Sequence, residues 1–502
     1  MKANVTAHSR YIIADIDKRL YGSFLEHMGR AVYTGIYEPD HPEADESGMR
    51  RDVLELVREL DTPICRYPGG NFVSAYNWED GIGPKDERPT RLDLAWRTSE
   101  SNHVGIHEFA DWAEKANTEM MLAVNLGSRG LDEARAFLEY VNHPGGTYWS
   151  DLRRKNGQSD PWNVKTWCLG NEMDGPWQVG HKTADEYGHL ANEVAKAMRG
   201  YQSDLELVVC GSSGPGMSTF PQWEATVLEH TYENVDLISL HMYFENYEKN
   251  TAEFLALPEK LDRYIGTVSG VIDFIKSKKR AKHDVKISFD EWNVWYHERK
   301  SDMEKLAEWD WPFAPHLLED VYNFEDVLQV GCAINTFIRR SDVVWVACIA
   351  QLVNVIAPIM TAPNGDAWRQ TIFYPFKFAS AHGRGTALRL DVDCPGYKAD
   401  VADHVSYLDI AGVHDSDAGT LTFFAINRNG EEALEVDLSI EGFGAIKAVE
   451  HTLIRHDDLE ATNTQNAPNN VAPQKGDGAR VDNGKLELNL PPYSYSMFRV
   501  QL

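Results

Sequence analysis

The segment VKTWCLGNEMDG spans Val164 to Gly175. An apolar run ends there in a polar pair, Asn171-Glu172, with glycines at 170 and 175. Two readings of the pair are open. Asn171 caps a following helix and Glu172 sits in its first turn, where an acid suits the helix dipole. Alternatively, the pair faces a substrate from the loop that ends a buried strand.

The same grammar recurs along the chain. Working outward from 164–172, near-continuous apolar runs fall at 20–29, 62–71, 120–128, 205–214, 235–244, 285–292 and 343–351. None alternates with period two, which suits parallel strands buried on both faces. Segments with helical apolar spacing lie between them, at 50–60, 107–117, 131–143, 183–201, 268–280 and 324–340. Repeated strand–helix alternation predicts an α/β fold of the (β/α)8 TIM-barrel type. A doubly wound open sheet is the rival. It usually brings a Gly-rich phosphate turn after its first strand, and LYGSFLEHMG (20–29) is not G-x-G-x-x-G.

After about residue 385 the pattern changes to short runs such as LTFFAINRNG and YSYSMFRVQL, several alternating with period two. Asn429-Gly430 and Asn483-Gly484 are turn signals. The stretch 463–478, rich in Asn, Pro and Gly, reads as a long surface loop. The expected division is a catalytic barrel over 18–384 and a jelly-roll-like β-sandwich over 385–502, completed by residues 1–17.

Composition narrows the function. With 77 acidic against 49 basic residues, the net charge of −28 repels phosphate backbones and argues against nucleic acid. The densest basic run, 276–280, ends a helical segment and reads as a solvated helix end. The cysteines at 65, 168, 210, 332, 348 and 394 show no CxxC spacing, so buried free thiols are expected. The first twenty residues lack a signal-peptide core, and no window is apolar enough to span a membrane. A soluble, cytoplasmic protein is the expectation.

In such barrels the chemistry collects where strands end at the C-terminal face. The residues there are Glu26-His27, Gly69-Gly70-Asn71, Asn125, Asn171-Glu172, His241, Tyr243, Asp290-Glu291-Trp292-Asn293, Trp295, Tyr296 and Gln351. The set is rich in carboxylates, amides and aromatics and poor in cations, which fits sugars. A glycosidase needs one carboxyl group as acid and a second as nucleophile or base. Glu172 and Glu291 lie 119 positions apart yet end strands on one rim. A separation of about 5 Å would mean retention of configuration, and one near 8 Å inversion.

Other readings compete. Glu291 could be a mere ion-pair partner. Glu26-His27 could be half of a metal site, but HExxH is absent and no cluster reaches ligand count. His241 suits a substrate or supporting hydrogen bond better than a metal. Gly69-Gly70-Asn71 lacks the Lys-Ser/Thr of a phosphate loop, Cys168 reads as a buried thiol, and Gly211-Ser212-Ser213-Gly214 is no G-x-S-x-G elbow.

The finer match is to a family. YGSFLEHMGRAVYTGIYEP, RYPGGNFVSAYNWEDGIGP, WCLGNEMDGPWQ, SLHMYF and FDEWNVWY resemble the α-L-arabinofuranosidases of glycoside hydrolase family 51, and the likeness extends to the tail PPYSYSMFRV. The resemblance implies a retaining, exo-acting enzyme on arabinan- or arabinoxylan-derived oligosaccharides. It implies that Glu172 is the acid/base and Glu291 the nucleophile. It makes Glu26, Asn71, Asn171 and Gln351 partners of the sugar hydroxyls. Tyr243 would hold the nucleophile, with His241 nearby. Trp96 and Trp295 would shape the pocket wall and the leaving-group side. It also implies a homohexamer and no cofactor or metal. The alternatives are a β-xylosidase or endoglucanase on the same scaffold, a metal-dependent barrel hydrolase, or a non-catalytic carbohydrate-binding barrel. The long segment 297–322, with Trp309, Trp311, Phe313 and His316, is expected either to set chain-length preference or to pack.

Overall fold

The computed structural model of the chain describes residues 1–482 and 485–502, so the Asn483-Gly484 turn signal lies outside the described residues. Eight parallel strands close into a barrel. In chain order they are β1 (Gly22–Phe24), β2 (Ile64–Tyr67), β3 (Glu119–Val124), β4 (Thr166–Leu169), β5 (Glu206–Cys210), β6 (Leu237–Phe244), β7 (Lys286–Val294) and β8 (Val344–Ala350). Each strand pairs with the next in sequence, and β8 pairs with β1.

The continuous apolar runs resolve into two phases. Phe24, Ile64, Met121, Cys168, Val208 and Cys348 form one buried cluster inside the barrel. Trp167, Leu169, Leu207, Val209 and Ile287 join the larger core packed under the helices. Where both faces of a strand are apolar in this way, no alternation shows in the sequence.

The helices follow local rules. Thr183 caps Ala184–Tyr201 in a capping box with Glu186, and Asn323 caps Phe324–Arg339 with Asp326. The basic run at 276–280 closes Pro258–Lys279, with Arg280 in the left-handed cap. Phe324–Arg339 is buried along nearly its whole length, because it lies between the barrel and the C-terminal sheets. There Asn335 donates to Asp409 at 2.7 Å and Arg339 meets the same carboxylate at 3.1 Å.

Two sheets face each other beyond the barrel. Among the described residues, one orders Asp391–Asp393, Lys2–His8, Leu434–Glu441, Lys485–Leu490 and Ala479–Asp482. The other includes Ile12–Asp15, Leu408–Asp415, Thr420–Asn427 and Ser494–Gln501. Val5, Phe423, Val436, Leu438, Leu488 and Phe498 are among the side chains buried between them. Both strands of the N-terminal segment therefore pair with the C-terminal part of the chain, and we propose the division 18–384 and 385–502 with 1–17 on that basis. Among the described residues no helix is long and apolar enough to cross a membrane.

Candidate active site

Strand β4 reaches the barrel mouth through a turn that needs left-handed backbone at two positions. Gly170 has φ +89° and Glu172 φ +45°. A glutamate held there is backbone strain of order 1–3 kcal/mol, the kind found where geometry serves function. No helix begins at Asn171, so the helix-cap reading of the pair fails; the next helix starts at Ala184.

Glu172 accepts from His241 Nδ1 at 2.9 Å on Oε1 and from Trp177 Nε1 at 2.9 Å on Oε2. Glu291 accepts from Arg66 Nη1 at 2.6 Å on Oε1 and from the Tyr243 hydroxyl at 2.8 Å on Oε2. A carboxylate oxygen of Glu172 and one of Glu291 lie within 4.8 Å of each other. Burial, then the Glu291 charge, raises the Tyr243 phenol far above its ordinary range, so it stays a donor.

Beneath this pair lies Asp290. Burial opposes its charge, but Arg66 and hydrogen bonds from His241 and Ser239 hold it below the usual carboxylate range. Burial likewise opposes a charge on His241. The Glu291 charge and the hydrogen bonds to Asp290 and Glu172 outweigh it, and the imidazole is pushed up to about 10. Both its nitrogens then carry protons, one facing Glu172 and one facing Asp290 at 3.1 Å.

Both ring nitrogens of His241 already face carboxylates. Glu172, His241 and Glu291 each offer an atom within 4.8 Å of the others, a spacing a cation could bridge. In this structure Glu172 is bonded to His241 and Trp177, and Arg66 and Tyr243 take one oxygen each of Glu291.

Glu26 sits on the other side of the pocket. Its Oε1 accepts from Phe72 N at 2.8 Å and Trp96 Nε1 at 3.0 Å, and its backbone N–H donates to Gln351 Oε1 at 2.9 Å. Burial, reinforced by the Glu291 charge, pushes the Glu26 carboxyl up to about 8. At neutral pH it is a proton donor as well as an acceptor. Gly70 lies between the groups: a Cβ there would stand 2.8 Å from Glu291 Oε1 and 3.3 Å from Asn171 Nδ2. The glycine serves close approach to carboxylates, not a phosphate.

A cavity of about 360 Å³ opens at this mouth. Glu26, Asn71, Trp96, Glu172, Tyr243, Glu291, Trp295 and Gln351 all line it. Asn171 and His241 stand behind the wall. Asn171 joins Arg66 at 2.7 Å and Asn71 at 3.3 Å, while His241 is spent on carboxylates. Other residues at the strand ends are structural. Asn125 caps a loop through the N–H groups of Gly127 and Ser128, and Asn293 holds the carbonyls of Ala350 and Ile356. Cys168 is a buried thiol, pushed up by burial.

Segment 297–322 enters the pocket through the short helix Arg299–Leu306. Arg299, Met303 and Leu306 line the cavity, with Arg299 stacked 4.0 Å over Trp295. Trp311 is not in the wall; it lies against Arg97 at 5.6 Å. Arg66 and Trp177 were missed at the sequence level, while Gly70 and Asp290 stood among the strand-end residues without the roles the contacts give them. Arg66 and Gly70 stand inside the RYPGGN stretch and Trp177 inside GPWQ, but only contacts assign them.

Comparison with known proteins agrees with this geometry. The signature of the α-L-arabinofuranosidase 1 domain matches residues 56–254, and that of the α-L-arabinofuranosidase C-terminal domain matches 290–494. The chain is 53% identical over 500 residues to the intracellular exo-α-(1→5)-L-arabinofuranosidase 1 of Bacillus subtilis (strain 168), covering 100% of this chain and 99% of that one. It is 47% identical over 510 residues to an exo-α-(1→6)-L-arabinofuranosidase of Bifidobacterium longum, covering 100% and 97%. The solved structure of AbfB, a family 51 α-L-arabinofuranosidase from Bifidobacterium longum, superposes with TM-score 0.95 at 45% identity, covering 99% of each chain. With paired glutamates at the barrel mouth and likeness along its full length, the chain belongs to the α-L-arabinofuranosidases of glycoside hydrolase family 51.

Proposed function

We propose that this chain is a retaining, exo-acting α-L-arabinofuranosidase in which Glu291 is the nucleophile and Glu172 the acid/base. Its substrates are terminal non-reducing α-L-arabinofuranosyl residues on short oligosaccharides derived from arabinan or arabinoxylan. The observation that carries the reading is the pair itself. An inverting enzyme needs roughly 6.5–9.5 Å between its carboxyl groups to seat a water, and a retaining one about 5 Å; here the nearest oxygens lie within 4.8 Å.

The two carboxyl groups have different partners. Arg66 and Tyr243 each donate to Glu291, one to each oxygen, which holds the carboxylate in place and aims it. In the first step its carboxylate attacks the anomeric carbon while Glu172 gives a proton to the departing glycosidic oxygen. The covalent bond then removes the negative charge of Glu291. Glu172, now a carboxylate, takes a proton from water, and the water oxygen displaces Glu291. Glu26, Asn71 and Gln351 hold the sugar hydroxyls, and protonated Glu26 can donate as well as accept. Trp96 fixes Glu26, and Trp295 packs on Tyr243 with ring centroids 4.9 Å apart. Asn171 and His241, behind the wall, orient Asn71 and Glu172.

A pocket rather than a long groove suits removal of one terminal unit. The relatives' names divide between 1→5 and 1→6 linkages. Trp177, Trp295, Arg299, Met303 and Leu306 form the part of the wall where linkage preference would arise. Action inside the cell, as the name of the Bacillus subtilis relative has it, suits short substrates, and a homohexamer completes the proposal.

The test is initial rates on 4-nitrophenyl α-L-arabinofuranoside and 4-nitrophenyl β-D-xyloside with EDTA present. A strong preference for the arabinofuranoside, with α-arabinose as the first product seen by NMR, is expected. Preference for the xyloside, or β-arabinose as first product, overturns the sugar or the mechanism respectively. Glu291→Ala should abolish turnover of both.

A further inference from the structure

Strand β7 breaks the rule that neighbouring residues face opposite ways. Ser239 of β6 pairs with Ser288 and His241 with Glu291, so two steps on β6 span three on β7. The register against β8 slips at the same place, between Phe289 and Trp292. This is a β-bulge, uncommon in parallel pairs and often found beside active sites. Its effect is that Asp290 and Glu291, adjacent in sequence, both turn toward the barrel interior.

Asp290 is wholly buried. Its Oδ1 accepts from Ser239 Oγ at 2.5 Å and faces His241 Nε2 at 3.1 Å. Its Oδ2 lies 3.7 Å from Arg66 Nε and from the Cys168 thiol. None of these atoms lines the cavity. Yet the two cations that Asp290 joins are the groups that grip the proposed catalytic pair: Arg66 holds Glu291 and Asn171, and His241 holds Glu172.

We propose that Asp290 is a positioning residue, the shared buried counter-ion whose place under the bulge keeps Arg66 and His241 aimed at Glu291 and Glu172. The inference rests on the assignment of those two glutamates. The charged groups facing the imidazole are Glu172 from the turn after β4 and Asp290 and Glu291 from β7, with Arg66 of β2 beyond Asp290. Without the Asp290 charge, Glu291 alone faces Arg66, and His241 loses one of the groups that keep it an imidazolium. Burial then favours its neutral form, with one proton fewer to share between Glu172 and residue 290.

The test is Asp290→Asn, nearly isosteric, read three ways. On 4-nitrophenyl α-L-arabinofuranoside, kcat should fall about 100-fold or more with KM changed less than about threefold, since substrate contacts are untouched. In 15N-histidine spectra the His241 ring, identified with a His241→Gln control, should stay doubly protonated to above pH 8 in the parent protein and lose a proton below pH 8 in the variant. Ser239→Ala keeps the Asp290 charge and removes a hydroxyl that donates to Asp290 and lies 3.1 Å from His241 Nε2. It should shift the same resonance in the same direction with a kcat loss of about three- to tenfold. If Asp290→Asn does not fold, the Ser239→Ala result decides. Unchanged kcat and an unchanged His241 titration in the folded variant overturn the positioning role. Failure of the underlying assignment is separate: it would show as turnover by Glu291→Ala.

Discussion

Trp177 donates its indole N–H to Glu172 Oε2 across 2.9 Å, although 52% of the residue is open to solvent. A hydrogen bond of this kind is worth about 1 kcal/mol, roughly fivefold in rate if it acts on the glycosylation step. Trp177→Phe keeps a ring and removes the donor. Its kcat/KM on α-1,5-arabinobiose should drop about three- to tenfold, while kcat/KM on the 4-nitrophenyl glycoside, whose leaving group needs no proton, should stay within twofold. An equal drop on both would reduce the indole to packing.

Glu172→Ala separates the acid from the base. On arabinobiose kcat/KM should fall about 100- to 10,000-fold, the range of general acid catalysis. On the 4-nitrophenyl glycoside kcat/KM should change little, but kcat should fall because water lacks its base. Azide needs no base and fits the space vacated. It should restore kcat and yield an arabinofuranosyl azide of retained configuration. Loss without azide rescue would remove Glu172 from the second step.

Gly70→Ala tests proximity. The added methyl would stand 2.8 Å from Glu291 Oε1, so the nucleophile or the β2 turn must shift. Small displacements of reacting groups cost about 100-fold. The expectation is a kcat loss of that order with a melting temperature lowered by a few degrees at most. Near-normal kcat would mean the turn yields without disturbing Glu291.

The Glu26 carboxyl sets a pH dependence of stability. Its ordinary value is 4.5, and burial with the Glu291 charge raises it to about 8 in the fold. The unfolded chain thus loses this proton earlier than the folded one. The associated stability is fully present below pH 4.5, declines as pH rises toward about 8, and levels off above. Glu26→Gln has no such titration. The difference in melting temperature between variant and parent should move steadily in the variant's favour from pH 4.5 to 8. A constant offset across that window would remove the buried, protonated Glu26.

The barrel was legible in the sequence because strands buried on both faces make unbroken apolar runs, and because each run stops at polar residues. Glu26, Asn71, Glu172, Tyr243, Glu291 and Gln351 stood out for that reason, and all line the cavity. The bulge in β7 was not legible. On a regular strand Asp290-Glu291 reads as one acid in and one out, and no residue type marks the extra step. Arg66 reads as an interruption of an apolar run until its partners, 105 and 225 positions away, are in view. The helix Tyr148–Lys155 escaped notice because it is short with few apolar residues, and Gln222–Thr231 because its apolar stripe is weak. Trp311 drew attention by size, but the pocket is reached by Met303 and Leu306 of the same segment.

The N-terminal strand Lys2–His8 lies parallel to Leu434–Glu441 and antiparallel to Asp391–Asp393. During synthesis it emerges well before either neighbour and finds neither until most of residues 9–441 have followed. At about 5–20 residues per second that wait is on the order of 20–90 s. The barrel strands, each paired with the next in sequence, can assemble meanwhile. Closure of the sandwich is then a late event, and a substitution in Lys2–His8 reaches the last step of folding, not the first.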